Sequence, residues 1–254
     1  MARKITEKRA LITGAGKRIG RALAEALGED GWSVAVHYRS SAGGAEETAA
    51  AIVKAGGTAV TVQGDLTEEK DLRALVPAAA AKLGGPLTLL INSASTFEAD
   101  TAQDHDRQGW DLHFDANLRA PVALSQAFAN VLPREQAGLV INVIDQRVWK
   151  LNPQFFTYTL SKAGLLTATK TLAQALSPNI RVNAIGPGPT LKSVHQSDED
   201  FEAEQEATLT EEGSRPEEIV RAMRYLIEAD SVTGQMIAPD GGQHLMWQTP
   251  DTQV

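Results

Sequence analysis

Short apolar runs alternate along the chain with longer stretches in which apolar residues return every three or four positions. The run at 9–13 (RALIT) breaks into glycine, and 19–27 (IGRALAEAL) puts Ile19, Leu23, Ala26 and Leu27 on one helical face. Residues 33–37 (SVAVH) return to strand character, and 45–55 form an Ala/Glu-rich helix stopped by Gly56-Gly57. The same alternation predicts strands at 58–63, 87–91, 139–143 and 180–185, with helices at 68–83, 104–116, 118–132 and 154–176. Pro121 falls in the first turn of the 118–132 helix. Pro216 opens a last helix, 216–229, before a short strand at 235–238. Repeated strand–helix alternation points to an α/β fold, a doubly wound parallel sheet with helices on both faces. At about 150 residues per domain, length alone leaves 254 residues between one domain and two. The unbroken series, without repeat or linker, decides for a single domain over 1–254.

The pattern lapses once. Residues 191–212 are polar, acidic and poor in large apolar side chains. They read either as a mobile surface segment or as a lid, so 190–214 is marked as a candidate substrate lid. The polar tail 249–254 is expected to fray.

Charge and composition then narrow the function classes. There are 32 acidic residues against 24 basic ones, a formal net charge of -8. A general polyanion binder carries a basic excess, so nucleic acid is not an expected partner. The chain has no cysteine, which excludes a disulfide framework, a thiolate metal site and a cysteine nucleophile. The 5 histidines are scattered without metal-ligand spacing, and no metal is expected. No run approaches the ~18 apolar residues of a membrane span, and no targeting segment is visible. The expectation is a soluble cytoplasmic protein acting on a small molecule.

Candidate chemistry begins where the first strand meets the first helix. Thr13-Gly14-Ala15-Gly16-Lys17-Arg18-Ile19-Gly20 is a glycine-rich turn feeding a helix amino terminus. Such a turn lets backbone approach a ligand, and the helix end offers free N–H groups to a phosphate. The spacing is one residue longer than the common dinucleotide fingerprint, and it lacks the Ser or Thr of a P-loop. An ordinary strand-to-helix turn would look the same. The second strand sharpens the reading, because it ends in Arg39-Ser40 with no Asp or Glu at 36–41. An acidic residue there accepts from a ribose 2′-hydroxyl, whereas arginine accommodates a 2′-phosphate. Arg39 and Ser40, with Lys17 or Arg18, therefore favour NADP(H) over NAD.

Tyr158 and Lys162 stand at i and i+4 in a predicted helix, on one face. An ammonium beside a phenol favours the phenolate and is expected to lower its pKa, which suits a general acid or base. A surface Tyr–Lys pair is the plain alternative. Taken with the glycine turn, Asp65, Asn92-Ser93-Ala94, Asn117, Pro187-Gly188 and Asp240-Gly241-Gly242, this pair completes a set. In order and spacing the set resembles the short-chain dehydrogenase/reductase family over almost the whole chain. The resemblance implies a Rossmann-type domain, nicotinamide-dependent hydride transfer and a homotetramer. It implies cofactor contacts from Gly14, Lys17, Arg18, Ile19, Gly20, Asp65, Leu66, Asn92, Ser93, Ala94, Tyr158, Lys162, Pro187, Gly188 and Thr190. Asn117 would kink its helix and hold a water linked to the lysine.

Three departures narrow the resemblance. Arg18 replaces the glycine usual at that turn position, Asp145 replaces the serine that precedes the family's tyrosine, and Phe97 follows Ser95-Thr96. The combination is similar to the pteridine reductase branch, which includes dihydromonapterin and dihydrofolate reductases of this fold. It implies a pterin stacked on Phe97, contacts from Arg18 and Ser95, and a catalytic group of Asp145, Tyr158 and Lys162. An ionised aspartate only accepts hydrogen bonds, so it would repel an oxyanion and hold an amino-bearing heterocycle. From the residues alone, Phe97 could be a core aromatic, and Asp145 a cap or a partner of Arg147. A 3-oxoacyl-carrier-protein reductase, or an NADPH-binding regulatory protein without catalysis, stand as alternatives.

Overall fold

The fold is taken from a computed structural model that describes residues 4–193 and 196–247. The expected frayed tail and residues 194–195 of the candidate lid lie outside these. Strands β1 (Arg9–Ile12), β2 (Ser33–Tyr38), β3 (Thr58–Gln63), β4 (Leu89–Asn92), β5 (Gly138–Val143), β6 (Ile180–Ile185) and β7 (Met236–Ile237) form one sheet. Its order is β3-β2-β1-β4-β5-β6-β7, and every pairing is parallel. Helices α1 (Arg18–Glu29), α2 (Ala42–Lys54), α3 (Glu69–Lys82), α4 (Arg107–Phe114), α5 (Ala120–Val131), α6 (Phe156–Leu176), α7 (Asp198–Glu206) and α8 (Pro216–Glu228) connect and cover it.

Strand alternation sorts the core into two layers. Ala10 and Ile12 of β1, with Leu89 and Ile91 of β4, face Leu23 and Leu27 of α1, Ile52 of α2 and Met223 of α8. Leu11 and Leu90, one step out of phase, face Leu75 of α3, Leu124 and Phe128 of α5 and Ala173 of α6. Buried on both faces, the central strands need the continuous apolar runs seen in the sequence. The expected doubly wound architecture is therefore present.

Two local features differ from the expectation. The helices expected at 104–116 and 118–132 are not separate, because α4 passes into α5 through a π-helical turn at Asp115–Arg119. Asn117 sits inside that turn and is fully buried. The segment after β6 carries α7, which no apolar period announces. It forms through a capping box, with Ser197 and Asp200 satisfying each other's backbone N–H groups and three acidic residues at its positive end. The Asp240-Gly241-Gly242 motif pins the far side. Asp240 accepts from the N–H groups of Gly242 and His244, both at 3.0 Å, and a Cβ on Gly188 would meet the Asp240 Cα at 2.6 Å.

Candidate active site

Strand order reverses direction at β1, between β2 and β4, and a cleft opens at the carboxyl ends of the strands there. Its volume is about 830 Å³. One end is lined by Gly14, Lys17, Arg18, Ile19 and Gly20 from the turn and α1, by Arg39 and Ser40 after β2, and by Asp65 and Leu66 after β3. The first turn of α1 has no side-chain cap, so its N–H groups are left for a ligand. The turn itself is shaped by His37, whose Nδ1 accepts the Gly14 N–H at 3.1 Å while Nε2 donates to the Gly64 carbonyl at 3.0 Å. Burial lowers the His37 pKa, in keeping with this neutral tautomer. Burial raises the Asp65 carboxyl, but two Thr67 hydrogen bonds and the charge of Arg39 outweigh it and hold the pKa down.

Arg18 keeps the left-handed backbone of the glycine it replaces, with φ of 54°. That conformation is costly for a side chain with Cβ, and such strain tends to persist at functional sites. Its guanidinium crosses the cleft and donates to the carbonyls of Lys192 at 2.7 Å and Leu191 at 2.9 Å. The segment expected as a lid thus forms one wall, with Thr190, Leu191, Gln196, Phe201 and Glu204 lining the cleft.

The other end holds the candidate catalytic group. The Tyr158 hydroxyl donates to Asp145 Oδ2 at 3.0 Å, and Asp145 Oδ1 accepts the Arg147 N–H at 2.8 Å. Asp145 is therefore both a cap for its own turn and the partner of Tyr158. Burial pushes its carboxyl above the usual range, against the pull of Arg147, Tyr158 and Lys162. Lys162 donates to the Val143 carbonyl at 2.9 Å, and burial brings its pKa down to about 8. The expected lowering of the Tyr158 pKa is not found here. Burial and the Asp145 charge raise it well above its ordinary value, while the ammonium lies 5.7 Å from the ring centre. Ser93, Ala94, Ser95, Phe97, Pro187 and Gly188 complete this end. Phe97 stacks on Phe155 at 4.1 Å between ring centres and meets the Tyr158 ring edge-on at 4.7 Å.

Two expected site residues do not line the cleft. Asn92 is buried in β4, where its amide donates to Asn142 Oδ1 at 2.8 Å. Asn117 sits behind the wall. Its Oδ1 accepts from the Ser95 hydroxyl at 3.0 Å and the Thr96 N–H at 2.9 Å, and its amide reaches Ser161 Oγ at 3.2 Å. It joins the β4 loop to α6. Sequence reasoning passed over Phe155, Asn152 and Gln243, which also line the cleft. Phe155 lies three residues before Tyr158, the one signal that could have marked it. Arg147 also lines the cleft, although the sequence marked it only as an ion partner. No cluster of His, Cys, Asp or Glu among the described residues could hold a metal ion. No helix among them is long and apolar enough to cross a membrane.

Comparison with known proteins places this geometry. A family model described as enoyl-(acyl carrier protein) reductase, of the short-chain type, matches residues 14–244. A solved structure of FolM alternative dihydrofolate reductase 1 from Brucella canis, complexed with NADP, is 49% identical with a TM-score of 0.94. The match covers 99% of this chain and 100% of that one. Glucose 1-dehydrogenase 2 of Bacillus subtilis is 32% identical, over 96% of this chain and 98% of its own length. A 3-oxoacyl-[acyl-carrier-protein] reductase of Synechocystis is 29% identical, over 94% and 97%. Because the family model spans residues 14–244 and the Bacillus relative is 32% identical over 96% of the chain, the chain belongs to the short-chain dehydrogenase/reductase family of oxidoreductases.

Proposed function

We propose that the protein is an NADPH-dependent reductase of a pteridine, a dihydropterin or dihydrofolate-like molecule. The observation that carries the reading is the acceptor-only carboxylate of Asp145, hydrogen-bonded to Tyr158 beside the flat wall of Phe97. A hydroxyl at position 145 would steady a ketone oxygen, whereas a carboxylate favours substrate N–H groups. The likeness to the 49% identical FolM structure supports the same branch. The uncapped start of α1, together with Lys17, Arg18 and Arg39, fits the phosphates of NADP(H).

Bound NADPH supplies the hydride. Phe97 packs the pteridine ring so that its reacting carbon is held in place. Asp145 accepts from the ring's N–H or amino edge. Tyr158 Oη holds a proton at neutral pH and passes it to the nitrogen left by C=N reduction. The test is NADPH oxidation with dihydrobiopterin, dihydromonapterin and dihydrofolate, beside acetoacetyl thioesters. Turnover of a pterin is expected. Turnover of the thioesters alone would establish instead the 3-oxoacyl reductase reading, which the Synechocystis relative favours. The intact Tyr158–Lys162 pair argues against a regulatory protein without catalysis.

A further inference from the structure

Arg147 lines the cleft two residues after Asp145. Its backbone N–H bonds the Asp145 carboxylate at 2.8 Å, but its guanidinium turns elsewhere. One nitrogen donates to Asn152 Oδ1 at 2.8 Å, and the group lies over the Phe155 ring, 5.3 Å from its centre. Phe155 is itself in the left-handed region, at φ of 53°, and carries Phe97 stacked upon it. Nε of Arg147 is buried without a hydrogen-bond partner among the described residues. A buried donor left unfilled on a cation is costly and calls for a reason. We propose that Arg147 is a positioning residue of this site, bracing the Phe155–Phe97 wall against which the substrate ring packs and adding a positive charge near Asp145.

The groups around Asp145 support the charge role. Arg147, Lys162 and the Tyr158 hydroxyl all favour its ionised form against burial. Lys162 is already committed to the Val143 carbonyl. Arg147 also favours the phenolate of Tyr158, so one cation acts on both members of the pair. The bracing role follows from shape, because a planar guanidinium can lie over the Phe155 ring while its nitrogen donates to Asn152, whereas an ammonium is a point charge. The inference rests on the proposed reduction only for its kinetic readout.

Arg147→Gln and Arg147→Lys separate the two roles. In Arg147→Gln, the limb of the kcat/KM profile that reports Asp145 is expected to move to higher pH by about one unit. In Arg147→Lys, that limb stays in place and the substrate KM rises about tenfold, with the KM for NADPH unchanged in both. A carbon-13 titration of the aspartate carboxyls, assigned with Asp145→Asn, reads the charge role with no substrate present, so a failed pterin assay does not decide it. An Asp145 titration unmoved in folded, NADPH-binding Arg147→Gln overturns the proposal. Should Arg147→Gln not fold, Asn152→Ala frees the guanidinium while keeping it. A raised substrate KM with an unmoved pH limb then supports the bracing role, and an unchanged KM refutes it.

Discussion

Arg39 follows the end of β2 and lines the cleft, and its charge acts on Asp65. Its proposed partner is a 2′-phosphate, and a charge-assisted hydrogen bond of that kind contributes about 1.5–3 kcal/mol. Arg39→Ala is therefore expected to raise the KM for NADPH roughly tenfold to a hundredfold. The KM for NADH should barely move, and equal effects on the two cofactors would remove the role. Residues of this kind were legible in the sequence because their chemistry is tied to a strand end or a helix spacing. Arg39, Tyr158, Lys162 and Asp145 all line one cleft. Phe155 was not legible, since its place depends on rings and charges brought from 97 and 147. Asn92 and Asn117 were legible as motif members, but their side chains proved to be buried struts. The pKa of Tyr158 was misread for a related reason: helix spacing showed the lysine and hid the burial and the carboxylate.

At the scale of elements, α6 carries the tyrosine and the lysine, yet its own N-cap, Phe155, makes no side-chain cap hydrogen bond. The cap comes from outside. Asp100, on the loop after β4, accepts the Thr157 N–H at 3.1 Å and also accepts from the Thr157 hydroxyl. His113 of α4 completes the joint, its Nδ1 2.7 Å from the same hydroxyl and its Nε2 accepting the Glu98 N–H at 3.1 Å. Asp100→Ala is expected to cost about 1 kcal/mol, as loss of a helix cap does, and to lower kcat through a displaced Tyr158. Thermal unfolding and turnover measure the two effects; an unchanged kcat would separate the cap from the chemistry. The strands were legible because burial on both faces writes a continuous apolar run. The α7 helix was not, because capping and charge hold it where no apolar stripe exists. The apolar pattern did not show the π-helical turn at Asp115–Arg119, although the family resemblance marked a kink at Asn117, which lies inside it.

The whole molecule has a net charge of -8, yet Lys17, Arg18 and Arg39 stand together at one end of its cleft. Overall charge thus bears on partners and not on a single pocket. Its stability should also depend on pH through two buried histidines. Burial lowers the pKa of both His37 and His113 from 6.5, so the unfolded chain binds more protons than the folded one. Their contribution is fully present above pH 6.5 and is lost as pH falls through the folded-state values. The melting temperature should drop on acidification below about that point, and His113→Gln should flatten the drop; an equal slope in the variant would exclude His113. A last consequence concerns the order of events. The guanidinium of Arg18 is already spent on the carbonyls of Leu191 and Lys192. If the cofactor's phosphates claim it, the wall it fastens is released before the substrate arrives. Turnover should then follow a compulsory sequence, nicotinamide first and pteridine second. NADP⁺ would compete with NADPH alone, and Arg18→Ala would erase that sequence.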